Sequence, residues 1–214
     1  MDENSMQSSI ALHARRVSDR ISYFPAMDEP LAADVGIVEG DSCIWLFDLG
    51  PHTTALPVLR ELDPVKPFCA AISHFHQDHL ASWNQLPLQK LYVGKHTYKY
   101  THRGIVVEKD LYIEDGLKIH LFPLPSTHAK GSLGMEVDET YAFLGDGIYP
   151  MYKNGQALYN ANLLADQLRV LRSLKAEYFL LSHDDPFIHR KEEVIAELEA
   201  TYAKRQSQTM YIEL

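Results

Sequence analysis

The sequence predicts an α+β fold, an αββα sandwich of two mixed β-sheets with helices outside, spanning residues 1–214 as one domain. Three observations lead there. Strand-length apolar runs occur in both halves of the chain, each half closes on helix-like segments, and 214 residues stay under the roughly 250 at which a single core stops growing. Residues 1–18 carry no such pattern and read as a flexible or peripheral segment.

Taken in order, short apolar runs predict strands at 21–24, 35–39 and 43–48, the last two joined by Gly40-Asp41, a tight-turn dipeptide. Residues 53–62 place Ala55, Leu56, Leu59 and Leu62 at helical spacing, with Thr53 or Thr54 as N-cap and Pro57 in the first turn. FCAAIS at 68–73 reads as a strand buried on both faces, followed by a helix over 78–84 and a strand over 91–93. Alternation predicts a strand at 117–124 and a hairpin of 132–137 with 140–144 around Asp138-Glu139. Residues 162–174 form an amphipathic helix whose leucines face a core, and YFLLS at 178–182 is another buried strand. The helix at 191–204 has acids early and Lys204 late, as the helix dipole favours, and 209–214 adds a closing strand.

Composition narrows the function. A formal charge of −9, from 20 basic and 29 acidic residues, repels phosphate backbones, so no nucleic-acid partner is expected. Cys43 and Cys69 lie inside apolar runs and form neither a disulfide framework nor a cysteine zinc pattern. The apolar runs fall short of the roughly 18 residues of a membrane span, and the acidic start MDENSMQSS lacks the order of a signal peptide. The expectation is a soluble cytoplasmic enzyme with a small-molecule substrate and no membrane partner.

Histidine carries the chemistry. The chain has 11, against 11 lysines and 9 arginines, and three of them fall with one Asp in six residues, His74-Phe75-His76-Gln77-Asp78-His79. His74 and His76, two apart on an extended segment, point to the same side and can bind one metal. Asp78 and His79, where the chain turns into a helix, can reach a second. Imidazole and carboxylate donors suit Zn²⁺, Fe or Mn²⁺ rather than Ca²⁺. Further ligands belong at strand ends followed by loops, where His128 in PSTHAKGS, Asp146 in AFLGDG and His183 in FLLSHDD stand. Ser126, Gly145, Gly147 and Ser182 beside them permit close backbone approach.

With these pieces in hand, the chain resembles the metallo-β-lactamase-fold hydrolase superfamily, in its dinuclear-metal, glyoxalase II and lactonase-like branch. FDLG (47–50), SHFHQDHL (73–80), THAKGS (127–132), GDG (145–147) and SH (182–183) follow in the family's order. The resemblance implies that His74, His76 and His128 bind a first metal, Asp78, His79 and His183 a second, and that Asp146 bridges both, with two Zn²⁺ as cofactors and Fe or Mn²⁺ as the other options. It implies also that Asp48 supports the metal loop from behind. Ala81-Ser82 stand where the family often has Gly-Gly, and Lys130 where it often has Pro.

The implied reaction is hydrolysis of an ester, thioester or lactone by a metal-bridged hydroxide, with Asp78 or a metal-bound water moving the proton to the leaving group. Tyr149 stands where the similar N-acyl homoserine lactone lactonases carry a tyrosine whose hydroxyl assists the carbonyl, and is expected as a second catalytic residue. Two alternatives on the same fold are a mononuclear iron oxidoreductase resembling persulfide dioxygenase and a non-catalytic metal-binding protein. Lys130 would favour an anionic substrate if it faces the site, His52 is a further candidate to face it, His120 reads as a surface residue, and Tyr152 and Tyr159 as walls of an apolar pocket.

Overall fold

The computed structural model describes residues 13–61 and 66–214. In chain order its first half holds β1 (Arg15–Arg16), β2 (Ile21–Phe24), β3 (Met27–Asp28), β4 (Leu31–Ala32), β5 (Val35–Glu39), β6 (Ile44–Phe47), α1 (Ala55–Glu61), β7 (Phe68–Ile72), α2 (Gln77–Leu80), β8 (Leu88–Val93), α3 (Tyr98–Thr101) and β9 (Ile105–Val106). The second half holds β10 (Leu111–Glu114), β11 (Lys118–Leu124), β12 (Ser132–Val137), β13 (Tyr141–Gly145), β14 (Met151–Lys153), β15 (Gln156–Asn160), α4 (Ala161–Ser173), β16 (Tyr178–Leu181), β17 (Ile188–Arg190), α5 (Lys191–Ala203) and β18 (Tyr211–Glu213).

Two mixed sheets dominate, in the orders β1-β2-β5-β6-β7-β8-β9 and β10-β11-β12-β13-β16-β17. Between them lies one apolar layer, where Phe47 meets Phe143 at 5.2 Å between ring centroids and Tyr23 stacks on Phe187 at 4.1 Å. A second layer packs Leu56 and Leu59 of α1 on the outer face of the first sheet. A third packs Leu164, Leu168 and Leu171 of α4 and Val194 and Leu198 of α5 on the second sheet. This is the αββα order the sequence predicts, and each such buried side chain contributes about 1.5–3 kcal/mol of transfer energy. Asp115 also links the sheets, accepting the Ser42 and Cys43 amides at 2.6 and 3.1 Å and the Trp45 indole N–H at 2.9 Å.

The structure differs from the sequence reading in five places. The helix expected over 78–84 is two pieces, α2 and a single 3₁₀ turn at Trp83–Gln85, because the Ser82 amide leaves the helix and donates to the Leu49 carbonyl at 2.9 Å. The helix expected over 53–62 is α1, with Leu62 outside the described residues. Residues 209–214 close neither main sheet; β18 pairs with β15 in a small β14-β15-β18 sheet. The stretch 94–116, which gave no sequence pattern, holds α3, β9 and β10. Residues 1–12 of the expected peripheral segment lie outside the described residues, while Arg15 and Arg16 pair with β2.

Candidate metal centre

All seven sequence-predicted ligands gather at the carboxyl ends of β7, β11, β13 and β16, the edge where open α/β sheets carry their sites. Beyond β7 the chain stays extended through His76, at φ −68° and ψ 148°, and then enters α2, which swings Asp78 and His79 away from His74 and His76. Donor atoms of His74, His76 and His128 lie within 4.8 Å of one another. So do those of Asp78, His79, Asp146 and His183.

Hydrogen bonds on the far side of the rings set their direction. His79 Nδ1 donates to Asp48 Oδ2 at 2.8 Å, while Asp48 also accepts the Ser73 amide at 2.7 Å and the Ser73 hydroxyl at 2.8 Å. That hydroxyl has its proton on Asp48 and accepts from His74 Nδ1 at 2.9 Å. His128 Nδ1 meets the Pro150 carbonyl at 3.3 Å. Each ring thus turns a bare Nε2 inward, the arrangement by which outer partners orient metal-binding histidines. Gly50 clears the space behind, since a Cβ there would come within 1.7 Å of the Asp78 carbonyl oxygen.

What those inward atoms meet is the test of fit. His74 Nε2, His79 Nε2 and Asp146 Oδ1 are buried with no hydrogen-bond partner, and a buried polar atom left so costs about 1–3 kcal/mol. Asp146 Oδ1 lies 3.3 Å from His79 Nε2 without bonding geometry, and Asp146 Oδ2 lies 3.3 Å from His128 Nε2. His128 Nε2 is 3.1 Å from His76 Nδ1, and His183 Nε2 is 3.1 Å from Asp78 Oδ2. Imidazole and carboxylate donors converging in this way fit two transition-metal ions.

The charges agree. Burial and the surrounding imidazoles hold His74 well below its ordinary pKa, and burial with His128 lowers His76, so both favour the neutral form that binds metal. Burial would also lower His79, but Asp48 and Asp146 outweigh it and push that ring up to about 10. The pocket between His79 and Asp146 therefore attracts one positive charge. Burial would raise Asp78, yet bonding to His183 and the nearby His79 hold its carboxylate below the usual range.

Other sequence candidates are placed elsewhere. The Tyr149 hydroxyl gives its one proton to the Ser182 carbonyl oxygen at 2.8 Å, so it supports the residue before His183 instead of meeting a reacting carbonyl. Its burial raises the phenol pKa further. His52 does not face the site: its Nδ1 accepts the Ala55 amide at 3.0 Å, capping α1, and its Nε2 donates to the Pro25 carbonyl at 2.8 Å. His120 is half-buried between Asp110 at 2.9 Å and Glu136 at 3.0 Å rather than free on the surface. Tyr159 is buried and donates to the Ile148 carbonyl, and Tyr152 is 75% exposed, so the two do not form one wall. Lys130 is exposed on the loop after His128.

Asp34 had no sequence signal. It is buried, accepts the His183 amide on Oδ2 at 2.9 Å and the Ala26 amide on Oδ1 at 3.0 Å, and burial raises its pKa against those bonds.

No family model and no curated protein sequence matches the chain. Solved structures do. A metallo-β-lactamase superfamily protein from the archaeon Sulfolobus tokodaii aligns at TM-score 0.60 and 18% identity, over 90% of each chain. A metallo-β-lactamase from Pontibacter korlensis aligns at TM-score 0.68 and 13% identity, over 90% of this chain and 99% of that one. A flavo di-iron protein from Thermotoga maritima aligns at TM-score 0.67 and 13% identity, over 91% of this chain and 63% of that one. The layered sheets, the strand-end site and these alignments agree: the chain has the fold of the metallo-β-lactamase superfamily.

Proposed function

We propose that the chain is a metal-dependent hydrolase that cleaves an ester, thioester or lactone, holding one transition-metal ion among His74, His76 and His128 and a second among Asp78, His79 and His183. One observation carries the reading: the two oxygens of Asp146 face different donor groups, Oδ1 toward His79 and Oδ2 toward His128, each at 3.3 Å. A carboxylate so placed would serve both donor groups if each held an ion. When bound, such a pair supplies a water acidic near neutral pH and a Lewis acid for a carbonyl oxygen.

The protein's own part is positioning. Asp48 and Ser73 fix the ring orientations of His79 and His74, so that their Nε2 atoms are presented inward without reorganisation. Asp34 and Tyr149 hold the backbone on either side of the Ser182–His183 peptide, keeping His183 on Asp78. Asp78 turns Oδ2 toward His183, and its ionised carboxylate would take the proton released by the attacking water and pass it to the leaving group. Tyr149 takes no part in bond making.

A second reading draws on the likeness to the flavo di-iron protein, since the same imidazole and carboxylate donors accept iron: an iron-dependent oxidoreductase. Seven donors in two groups favour two ions over the single iron of the mononuclear alternative. Metal analysis of purified protein with a screen of esters, thioesters, lactones, phosphodiesters and β-lactams separates the readings. Two zinc or manganese ions per chain with turnover of carbonyl esters supports hydrolysis. Iron as the bound metal with no turnover across the screen overturns it.

A further inference from the structure

We propose that the substrate carries an anionic group, a carboxylate or a phosphate, that docks on a rim formed by residues 94–104 and Lys130 beside His76 and His128; this rests on the hydrolytic reading above. The segment from Gly94 to Gly104 contains Lys95, Lys99, Arg103 and two histidines with no carboxylate, in a chain whose formal charge is −9. Its position follows from two contacts. Phe75, between His74 and His76, stacks on Tyr100 with ring centroids 5.1 Å apart and planes 6° from parallel, and also packs on His96 at 5.1 Å and His76 at 4.9 Å. Gly94 lies so close to the Gly131 carbonyl that a Cβ would come within 1.8 Å, and a Cβ on Gly131 would in turn meet His96 at 3.1 Å. Lys130, exposed next to Gly131, therefore belongs to a loop packed directly on the 94–104 segment that carries the exposed Lys99.

Not every cation there is free to bind. Lys95 pairs with Glu108 at 3.3 Å, and Arg103 lines a separate groove with Trp83 and Lys90. Among the described residues Lys99 and Lys130 have no ion-pair partner, and both are exposed. The other donor group has the opposite surroundings. The β3–β4 hairpin carries exposed Asp28 and Glu29 and is tied to Asp78 by the Ala33 amide, which donates to the Asp78 carbonyl at 3.0 Å. Asp184 and Asp185 follow His183 directly. One end of the site is thus rimmed by cations on an aromatic shelf, and the other by carboxylates. This polarity aligns a substrate with its anionic end over His76 and His128 and its uncharged end toward Asp78. A neutral substrate gains nothing from it.

The test uses full-length, metal-loaded protein and two activated esters of one leaving group, 4-nitrophenyl acetate and the mono-4-nitrophenyl ester of glutarate. The parent should prefer the glutarate ester, with a preference that falls as salt rises. The double variant Lys99→Glu, Lys130→Glu should lose about tenfold of that preference, through KM rather than kcat, with unchanged metal content. Lys99→Gln with Lys130→Gln should show a smaller change of the same sign. Equal preference in parent and variants overturns the inference while leaving hydrolysis in place. If the parent cleaves neither ester, the hydrolytic reading is decided by the wider screen above, and calorimetric titration with glutarate decides the rim alone. Binding to the parent that weakens about tenfold in the double variant supports it, and absent or unchanged binding overturns it.

Discussion

The carboxylate of Asp34 accepts the backbone N–H of His183 at 2.9 Å, joining residues 149 positions apart in the sequence. His183 sits at φ 63°, in the left-handed region that costs a non-glycine residue about 1–3 kcal/mol, so its turn needs holding. Asp34 supplies one hold and Tyr149, through the Ser182 carbonyl, another. Because Asp34 also accepts the Ala26 amide, it ties the strand leading to the β3–β4 hairpin to the last ligand loop.

Asp34→Ala leaves two amide donors unmatched in a buried place. The expected result is a loss of about 1–3 kcal/mol in chemical denaturation and preferential loss of the ion bound at Asp78, His79 and His183. Calorimetric metal titration distinguishes the two ions. Equal weakening of both would show that Asp34 acts on the fold as a whole and not on the His183 turn.

Tyr149→Phe keeps the ring and removes the donor to Ser182. The expected result is a stability loss of about 1 kcal/mol and weaker metal retention, with kcat of the fully loaded protein nearly unchanged. A large fall in kcat at unchanged melting temperature and full metal content would restore the catalytic role that the sequence resemblance implied.

Asp48→Asn removes the charge behind His79 while preserving shape. Loss of such an outer partner lowers metal affinity about 10- to 100-fold, read by competition with a chelator. Asp48 itself is buried and left-handed at φ 65°, and Asn tolerates that backbone well, so folding should survive. Affinity within twofold of the parent would mean that Asp48 does not orient His79.

His52 predicts a pH effect away from the metals. Burial lowers its pKa below the ordinary 6.5, against the bond to Pro25, while Nδ1 caps α1. The unfolded chain then binds the proton more readily than the folded one, so stability from this residue is present above pH 6.5 and lost as pH falls below it. His52→Asn keeps a capping side chain without the titration. Denaturation of parent and variant from pH 7.5 to 5 should show the parent losing more stability on the acid side. Parallel curves would remove His52 as the cause.

Much of this was legible in the sequence, and the reasons are local. Ligand spacing at 74–79 is set by a strand end entering a helix, which pattern reveals. Asp146 and His183 follow apolar runs that give way to a small residue, and His128 follows an alternating strand. Asp34 was invisible because its meaning is a contact across the whole chain. His52 and Tyr149 misled because proximity in sequence to a motif does not fix which way a side chain turns: the first caps a helix and the second supports a peptide. The strands in 94–116 were hidden because the 2-residue β9 and the half-exposed β10 bury too little to leave a pattern.

The most direct measurement is anomalous diffraction from crystals of metal-loaded protein, collected at the absorption edge of the bound metal. Two peaks are expected, one among His74, His76 and His128 and one among Asp78, His79 and His183, with an Asp146 oxygen at roughly 2.0–2.2 Å from each. A single peak, or an Asp146 carboxylate more than about 4 Å from either position, would contradict the two-ion bridge on which the proposed hydrolysis depends.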